Sequence, residues 1–386
     1  MAAKITFFPV GNGDMTLVDT DVGKKILIDC NIRAAEDCPD VVKQLRERLS
    51  RDSSDRLFID VFIWSHTDED HCRGISEHFH LGSPEDWSEK KDLIFIREIW
   101  SSPIVFRRAS KNNTLSQDAK DLNKEVKRRV NKYKDGNMMV VGDYVTILAE
   151  DENGKTDDIK EIVLNLDDYT SKINGKTDTS FGAKLLGPSA KSELEEDEEK
   201  LGKNHSSVIL NIELSAGNTM AKFLTGGDAE VVCWETLLQR MKDKKTIADL
   251  DYNVMQAPHH CSWHTLSHES WSGAKKEGKT AKPSDDALEA LGYALDDAII
   301  ISSSNSIKDE DSDPPSSAAK DEYLKILEDV NGSFKCVSDN IKDDENVPLE
   351  IEITSTGGIK TLSLSLLTIG GTPSKAVNRE GGDTYA

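Results

Sequence analysis

A short polar stretch, residues 65–71, constrains this chain more than any other segment. It directly follows Leu57–Trp64, an apolar run that predicts a buried strand. Four of its side chains carry imidazole or carboxylate groups that bind metal ions, namely those of His66, Asp68, Asp70 and His71. A strand that ends in such a cluster presents it at the open edge of a sheet, which favours a metal site. The alternative is a polar turn in which the two histidines occur by chance.

The length of the chain is sufficient for a large core. Its 386 residues allow one large domain or two of ordinary size. Hydrophobic residues make up 37% and aromatic residues 6% of the chain, which is typical of a globular protein with sizeable polar loops. No apolar run approaches the roughly 18 residues that a membrane-spanning helix needs, and the N-terminal residues lack the layout of a signal peptide. We therefore expect no interaction with a membrane.

The cysteine pattern and the net charge limit the location and the substrate. Six cysteines are scattered without any Cys-x-x-Cys pair. This argues against a zinc knuckle or a disulfide framework and predicts a cytoplasmic location, where thiols stay reduced. The formal net charge of −22 disfavours non-specific adhesion to nucleic acid over the whole surface. A nucleic-acid substrate would need a local basic patch, or bound metal ions, to offset this charge.

The pattern of residues 66–71, His-x-Asp-x-Asp-His, resembles the second motif of the metallo-β-lactamase superfamily, which more often reads His-x-His-x-Asp-His. The variant with aspartate in third place resembles one branch, the hydrolase domain of ComEC-type DNA-uptake proteins and its soluble relatives. The resemblance implies an α/β fold, the αββα metallo-β-lactamase sandwich with two mixed sheets flanked by helices. It predicts one such domain over residues 1–370, with an insert at about 101–200 and a flexible tail at 371–386.

Further segments resemble motifs of the same family and occur in the family's order. They are the turn and strands from Gly11 to Asp29, the strand entry Asn204–Leu210, the segment Met220–Asp228, the loop Pro258–Ser262 and the strand Ala298–Asn305. The chain also departs from the family pattern. Cys261 stands in place of a glycine, an extra glycine precedes Asp228, and Asp313 occupies a position where histidine is usual.

The resemblance implies a site for two divalent ions, Zn²⁺ or Mn²⁺. His66 and Asp68 would hold one ion, and Asp70 and His71 would hold the other. Asp228 would lie between the two ions as a shared ligand. The aspartate at position 68 makes the set richer in oxygen than an all-histidine site, so selectivity among metals should be weaker.

Other residues are implied as ligands or as supports of the ligands. One of His259 and His260 would bind a metal and the other would face the substrate, and the sequence does not distinguish them. Asp29 would lie beneath the site and fix the histidine loop, with Asp14 in a similar place; the alternative for both acids is an ordinary turn residue. His205 would bind a metal or protonate the leaving group, unless it is a surface histidine. The implied catalytic residues are thus Asp70, His205 and His260.

The region 107–134 is basic in an acidic chain. It contains ten Lys or Arg against three acids, and residues 117–133 have the periodicity of a helix. One interpretation is a phosphate-binding arm beside the active site that uses Lys124, Lys127 and Arg128. The other interpretation is a solvated helix face balanced by acidic neighbours.

These residues predict a metal-dependent hydrolase that acts through a metal-activated water. The leading hypothesis is a phosphodiesterase or nuclease whose partner is a nucleic acid or nucleotide, with further substrate contacts from Asn204, Ser207 and Ser262. A hydrolase of a peptide, ester or lactone is an alternative for which the acidic surface is no obstacle. The third alternative is a non-catalytic protein that works with partner proteins in an operon-encoded system.

Overall fold

The computed structural model describes residues 2–35, 38–103, 115–149, 154–189, 203–308, 312–356 and 358–362. The tail predicted at 371–386 and the acidic run Glu193–Lys200 lie outside these residues. Much of the predicted insert is described, and it contains a long helix and several short strands.

Two mixed sheets form the framework of the described chain. The first sheet contains eleven strands, and its order is Val163–Leu164, Tyr144–Leu148, Ile94–Ser101, Leu57–Trp64, Lys25–Ile28, Thr16–Asp19, Ala3–Phe7, Leu349–Thr354 and Gly358–Leu362, with Ser50–Arg51 and Phe79–His80 as side branches. The strand Leu57–Trp64 lies between two parallel neighbours and is buried on both faces. This location explains why its sequence is apolar almost throughout.

The second sheet contains seven strands. Its order is Tyr169–Thr170, Phe181–Gly187, Ile209–Ala216, Thr219–Thr225, Tyr252–Gln256, Ala294–Ser302 and Ser333–Cys336. The first three pairings are antiparallel and the last three are parallel. Three two-stranded ladders complete the strands, and they join Cys30–Asn31 to Cys72–Arg73, Lys172–Ile173 to Lys176–Thr177, and Ile341–Lys342 to Glu345–Asn346.

The described residues include eight α-helices. Seven are regular, and they are Val41–Arg46, Ile75–His78, Gln117–Lys134, Val231–Lys244, Trp271–Lys276, Asp285–Leu291 and Ser317–Glu328. The eighth, Pro258–Cys261, is a single turn that contains left-handed residues. Several begin at a serine that accepts a hydrogen bond from the first turn, as Ser116 does from Ala119 N and Ser316 does from Ala319 N. No helix in the described ranges has both the length and the apolar character that crossing a bilayer requires.

Three buried clusters show how these elements pack. The largest joins inward-facing residues of both sheets, where the rings of Phe7 and Phe223 meet edge to face at 5.7 Å. A second cluster covers the other face of the first sheet and includes Leu122 of the long helix. A third covers the other face of the second sheet and includes Trp234 and Tyr323 of its helices. The described core is therefore formed by both sheets together with helices that pack on them.

The predicted α/β class is confirmed, whereas one helix is shorter than its sequence pattern. The apolar residues Val41, Val42, Leu45 and Leu49 predict a helix over residues 36–50. The helix spans only Val41–Arg46, because Pro39 disfavours helix before it and the chain enters a short strand at Ser50. The helix Gln117–Lys134 and the strand Leu57–Trp64 agree with the predicted elements within one residue. The helices Trp271–Lys276 and Asp285–Leu291 are not predicted by the sequence pattern, since both are too short to show a clear periodicity.

Candidate metal centre

The candidate ligands come from loops that follow strands of both sheets. Residues 65–71 follow Leu57–Trp64, Gly226–Asp228 follow Thr219–Thr225, and Pro258–Ser262 follow Tyr252–Gln256. Backbone hydrogen bonds join these loops, since Val208 N donates to Ser65 O at 3.0 Å and His259 N donates to Gly227 O at 2.9 Å. The carboxyl ends of strands from two sheets thus meet at one edge, where open α/β folds commonly bind ligands.

Asp228 lies at the centre of the cluster and is almost fully buried. Its Oδ1 lies 2.9 Å from His71 Nε2 and 3.4 Å from His260 Nε2. Its Oδ2 lies 3.7 Å from His66 Nδ1 and 3.9 Å from His259 Nε2. One carboxylate therefore faces four imidazoles, all of which the sequence predicted as candidate ligands.

Two groups of side chains that share Asp228 could each hold a metal ion. In the first group, Asp70, His71, Asp228 and His260 place one ligand atom each within 4.8 Å of one another. In the second group, the ligand atoms of His66, Asp68 and Asp228 satisfy the same limit. His259 belongs to neither group, although its Nε2 faces Asp228. The division matches the predicted assignment of His66 with Asp68 and of Asp70 with His71.

The ring nitrogens of His66 and His260 indicate whether these residues could bind a metal ion. Both ring nitrogens of His66 and both of His260 are buried without a hydrogen-bond partner among the described residues. His260 does lie within ion-pair distance of three carboxylates, since its Nδ1 is 3.2 Å from Asp14 Oδ1 and its Nε2 is 3.4 Å from both Asp70 Oδ2 and Asp228 Oδ1. Buried imidazole nitrogens normally have a partner, because leaving them unpaired costs free energy. Coordination of a divalent cation would satisfy these nitrogens, so the residues fit a metal centre.

Asp29 holds the histidine loop in place. Its Oδ2 lies 2.8 Å from His71 Nδ1, and its Oδ1 accepts a hydrogen bond from Ser65 N at 2.8 Å. Ser65 Oγ donates a further bond to Asp29. Asp29 has a left-handed backbone with φ 54°, a conformation in which Asp is more common than most residues. The ligand atoms of a third group, Asp14, Asp29 and His71, also lie within 4.8 Å of one another. The hydrogen bond between His71 and Asp29 already explains why these side chains are close together.

The loop Pro258–Ser262 has an unusual backbone. His259, His260 and Cys261 have φ values of 50°, 53° and 66°, so three consecutive non-glycine residues adopt the left-handed conformation. Such residues are costly and cluster at functional sites. Cys261 occupies the place where the family pattern has glycine, and its positive φ explains why glycine suits that position.

The extra glycine before Asp228 also has a physical reason. Gly227 has φ 49°, and a Cβ atom there would lie 2.8 Å from Ser65 Oγ and 3.6 Å from Ser207 Cβ. The loop that carries Asp228 therefore packs directly on the loop that carries His66. The sequence alone could not show this approach, which joins segments more than 150 residues apart.

The electrostatics of the cluster follow from burial and from opposed charges. Burial alone disfavours charge on every member, and it lowers the pKa of His66. For His71 and His260 the neighbouring carboxylates, above all Asp228, outweigh burial, so the pKa of His71 is raised strongly and that of His260 rises to about 10. The same two imidazoles outweigh burial at Asp228 and hold its pKa well below the usual range. Burial raises the pKa of Asp29.

Four further predicted site residues, His205, Asn204, Ser207 and Ser262, are not members of the two groups that could hold a metal ion. His205 is nearly buried, and its Nε2 lies 3.9 Å from Glu230 Oε2. Asn204 donates to the same glutamate at 2.7 Å. Ser207 Oγ is buried without a hydrogen-bond partner in the described chain. Ser262 is fully buried and accepts a hydrogen bond from His264 N. No described group that could hold a metal includes His205 or these polar residues.

The long helix places its basic residues in different surroundings. Arg128 binds Glu125 and Asp143, so its guanidinium is already engaged inside the protein. Lys124 and Lys127 are exposed. The helix begins beside the centre, since Asp118 accepts hydrogen bonds from Gly74 N at 2.8 Å and Ser76 N at 3.2 Å.

Comparison with known proteins adds no assignment to this geometry. No protein-family model and no curated protein sequence matches the chain.

Proposed function

We propose that this protein is a metal-dependent hydrolase that cleaves phosphodiester bonds, as a phosphodiesterase or nuclease. The observation that carries the proposal is the convergence of three buried histidines on Asp228, with ring nitrogens of His66 that make no hydrogen bond to any described residue. Helices outside two facing sheets support the αββα sandwich of the metallo-β-lactamase superfamily, whose motif order the sequence resembles. A cytoplasmic location remains part of this proposal.

The chain offers ligands for two ions, Zn²⁺ or Mn²⁺, through the two groups that share Asp228. When bound, such ions would lower the pKa of an attacking water and stabilise negative charge on the oxygens of the attacked phosphoryl group. The protein residues fix this arrangement in advance. Asp29 orients His71 through a 2.8 Å contact, as a carboxylate commonly orients a metal-binding histidine.

Three residues of the centre are partly open to solvent, and they are Asp68, Asp70 and His259. The side chain of Asp70 is 33% exposed and that of His259 is 17% exposed, whereas His66, His71, Asp228 and His260 are at most 3% exposed. Asp70 and His259 therefore face the side from which a substrate arrives. We assign His260 as a ligand and His259 as the histidine that contacts the substrate.

Metal analysis and nuclease assays test the proposal. Protein purified without added metal should contain, or bind on titration, up to two divalent ions for each chain. With Mn²⁺ present, the wild type should cleave DNA, RNA or a dinucleotide, and Asp228→Ala and Asp70→Ala should not. Asp321→Ala is a matched control, because Asp321 is exposed on the helix Ser317–Glu328. If no phosphodiester is cut by the wild type, the proposed function fails.

The net charge favours one alternative. A charge of −22 repels polyanions and does not hinder a neutral peptide, ester or lactone. The same centre would activate water against such a substrate. Cleavage of a chromogenic ester or lactone by a metal-loaded wild type that leaves nucleic acids intact would favour this alternative. A protein that cleaves neither class would act as a non-catalytic partner of other proteins.

A further inference from the structure

The basic residues of the helix Gln117–Lys134 divide into two sets. The first set is engaged by acids, and its members are Arg128, Arg129, Lys132 and Lys134. Arg129 is fully buried, where Glu125 and two backbone carbonyls accept its hydrogen bonds. These cations stabilise the fold and are not available to a ligand.

The second set consists of Lys120, Lys124 and Lys127, which are exposed. No acid in the described part of the chain lies within ion-pair distance of any of them. With about 100° of rotation per residue, the three lysines and Asn131 fall within an arc of about 60° on the helix. We call these four residues the lysine stripe. It lies opposite the buried face that carries Leu122 and Val126.

An ordinary solvated face would not have this composition in this protein. The chain has 70 acids against 48 Lys and Arg, so an average exposed face is acidic. The acids of this helix are engaged elsewhere, since Asp118 and Asp121 accept hydrogen bonds from Gly74 and Ser76, and Glu125 is buried against Arg129. The lysine stripe is thus a line of positive charge that forms no ion pair with the acids of its own helix.

The surroundings of the lysine stripe form a binding surface. The stripe lines a shallow groove of about 500 Å³, together with Asn123. Lys120 lies about one turn from Ser116, at the end of the helix that meets the histidine loop. Asp118 binds Gly74 N, three residues beyond His71. Lys120 therefore lies at the same end of the helix as the contacts with Gly74 and Ser76.

We propose that the lysine stripe binds the phosphate backbone of a nucleic-acid strand and leads that strand to the metal centre. The proposal rests on the hydrolase function proposed above and specifies its substrate as a polynucleotide and not a small nucleotide. Lys120 and Lys127 are about 10 Å apart along the helix axis, so the stripe can contact more than one phosphate of one strand. Arg128 also lines the groove, but its guanidinium already binds Glu125 and Asp143, so it is not counted among the cations that bind the strand.

A binding experiment with a metal chelator present isolates the lysine stripe from the centre. The probe is a fluorescein-labelled single-stranded 20-mer, as DNA and as RNA of the same sequence, followed by fluorescence anisotropy. Lys120→Gln, Lys124→Gln and Lys127→Gln are combined in one variant. The matched control combines Lys275→Gln, Lys276→Gln and Lys279→Gln, which remove the same charge from an exposed segment elsewhere. We expect the stripe variant to bind about 10-fold to 100-fold more weakly, with a salt slope smaller by about 2.

A hydrolysis experiment separates failure of the lysine stripe from failure of the proposed function. With Mn²⁺, the stripe variant should lose cleavage of the 20-mer but retain cleavage of a dinucleotide, which is too short to reach the stripe. If cleavage of the 20-mer falls equally in the stripe variant and in its control, the lysine stripe is not a binding surface. The same conclusion follows if the wild type binds neither oligonucleotide. Tight binding by a wild type that cleaves nothing would instead overturn the hydrolase function and leave the binding surface intact.

Discussion

His71 Nδ1 lies 2.8 Å from Asp29 Oδ2, and neither side chain is exposed to solvent. The other ring nitrogen, Nε2, lies 2.9 Å from Asp228 Oδ1. Only an imidazolium donates from both nitrogens, so His71 carries a proton on each in the metal-free protein. A metal at Nε2 would replace one proton, and Asp29 would continue to hold the ring.

Replacing Asp29 by Asn should weaken metal binding by about 10-fold to 100-fold, as is typical when the partner of a metal-binding histidine is changed. Asn accepts the left-handed backbone that Asp29 requires, so the fold should be retained. Competition with a chromogenic chelator measures the affinity. The control is Asp55→Asn, because Asp55 has φ 58° and is exposed. Equal affinity in both variants would remove Asp29 from the centre.

Metal binding should release protons at neutral pH. The neighbouring carboxylates raise the pKa of His260 to about 10 and that of His71 strongly, so both imidazoles are protonated in the metal-free protein at pH 7. A ligand imidazole must lose its proton, so the apparent metal affinity should rise with pH up to about 10. Calorimetric titration in two buffers with different ionisation enthalpies measures the protons released. Affinity that does not change between pH 7 and 9 would contradict the expectation.

The raised pKa of His260 also affects the stability of the metal-free protein. Metal affinity should rise with pH, whereas the free energy of unfolding should fall. A histidine whose folded pKa is raised contributes stability that is fully present below its unfolded pKa of about 6.5. This contribution is lost as the pH rises towards 10, the folded pKa of His260. Denaturant unfolding in a chelator should therefore show stability that falls from pH 6.5 to 10. A rise over this interval would show that His260 is neutral.

The sequence predicted the candidate ligands better than it predicted the charges around them. A strand that ends in His66–His71 can be recognised locally, because its apolar run and its polar end are contiguous. The count of basic residues over 107–134 included Arg128 and Lys132 as cations that could bind a ligand. In the structure both form ion pairs with Asp143, which lies outside that range. Pairing between distant segments depends on tertiary packing, which no local pattern contains.

The contact between Gly227 and Ser65 could not be predicted for the same reason. Gly227→Ala should be more destabilising than the usual left-handed penalty of about 1–2 kcal/mol, because its Cβ would lie 2.8 Å from Ser65 Oγ. It should also lower the metal content, since Ser65 and Asp29 hold the histidine loop. Gly278→Ala is the matched control, with φ 68° and no atom within 4 Å of the added Cβ. Equal unfolding free energies for the two variants would show that the loop yields easily.

His66 and His260 should respond in opposite ways to replacement by leucine in the metal-free protein. His66 has a lowered pKa and no hydrogen-bond partner, so His66→Leu should leave the free energy of unfolding unchanged or raise it by about 1 kcal/mol. His260 is a cation beside Asp228 and Asp14, so His260→Leu should destabilise the chelated protein by about 3 kcal/mol or more. Both variants should lose the rise in Tm that metal produces in the wild type. If His66→Leu destabilises the chelated protein as much as His260→Leu does, then His66 stabilises the fold without metal, and its assignment as a ligand loses its main support.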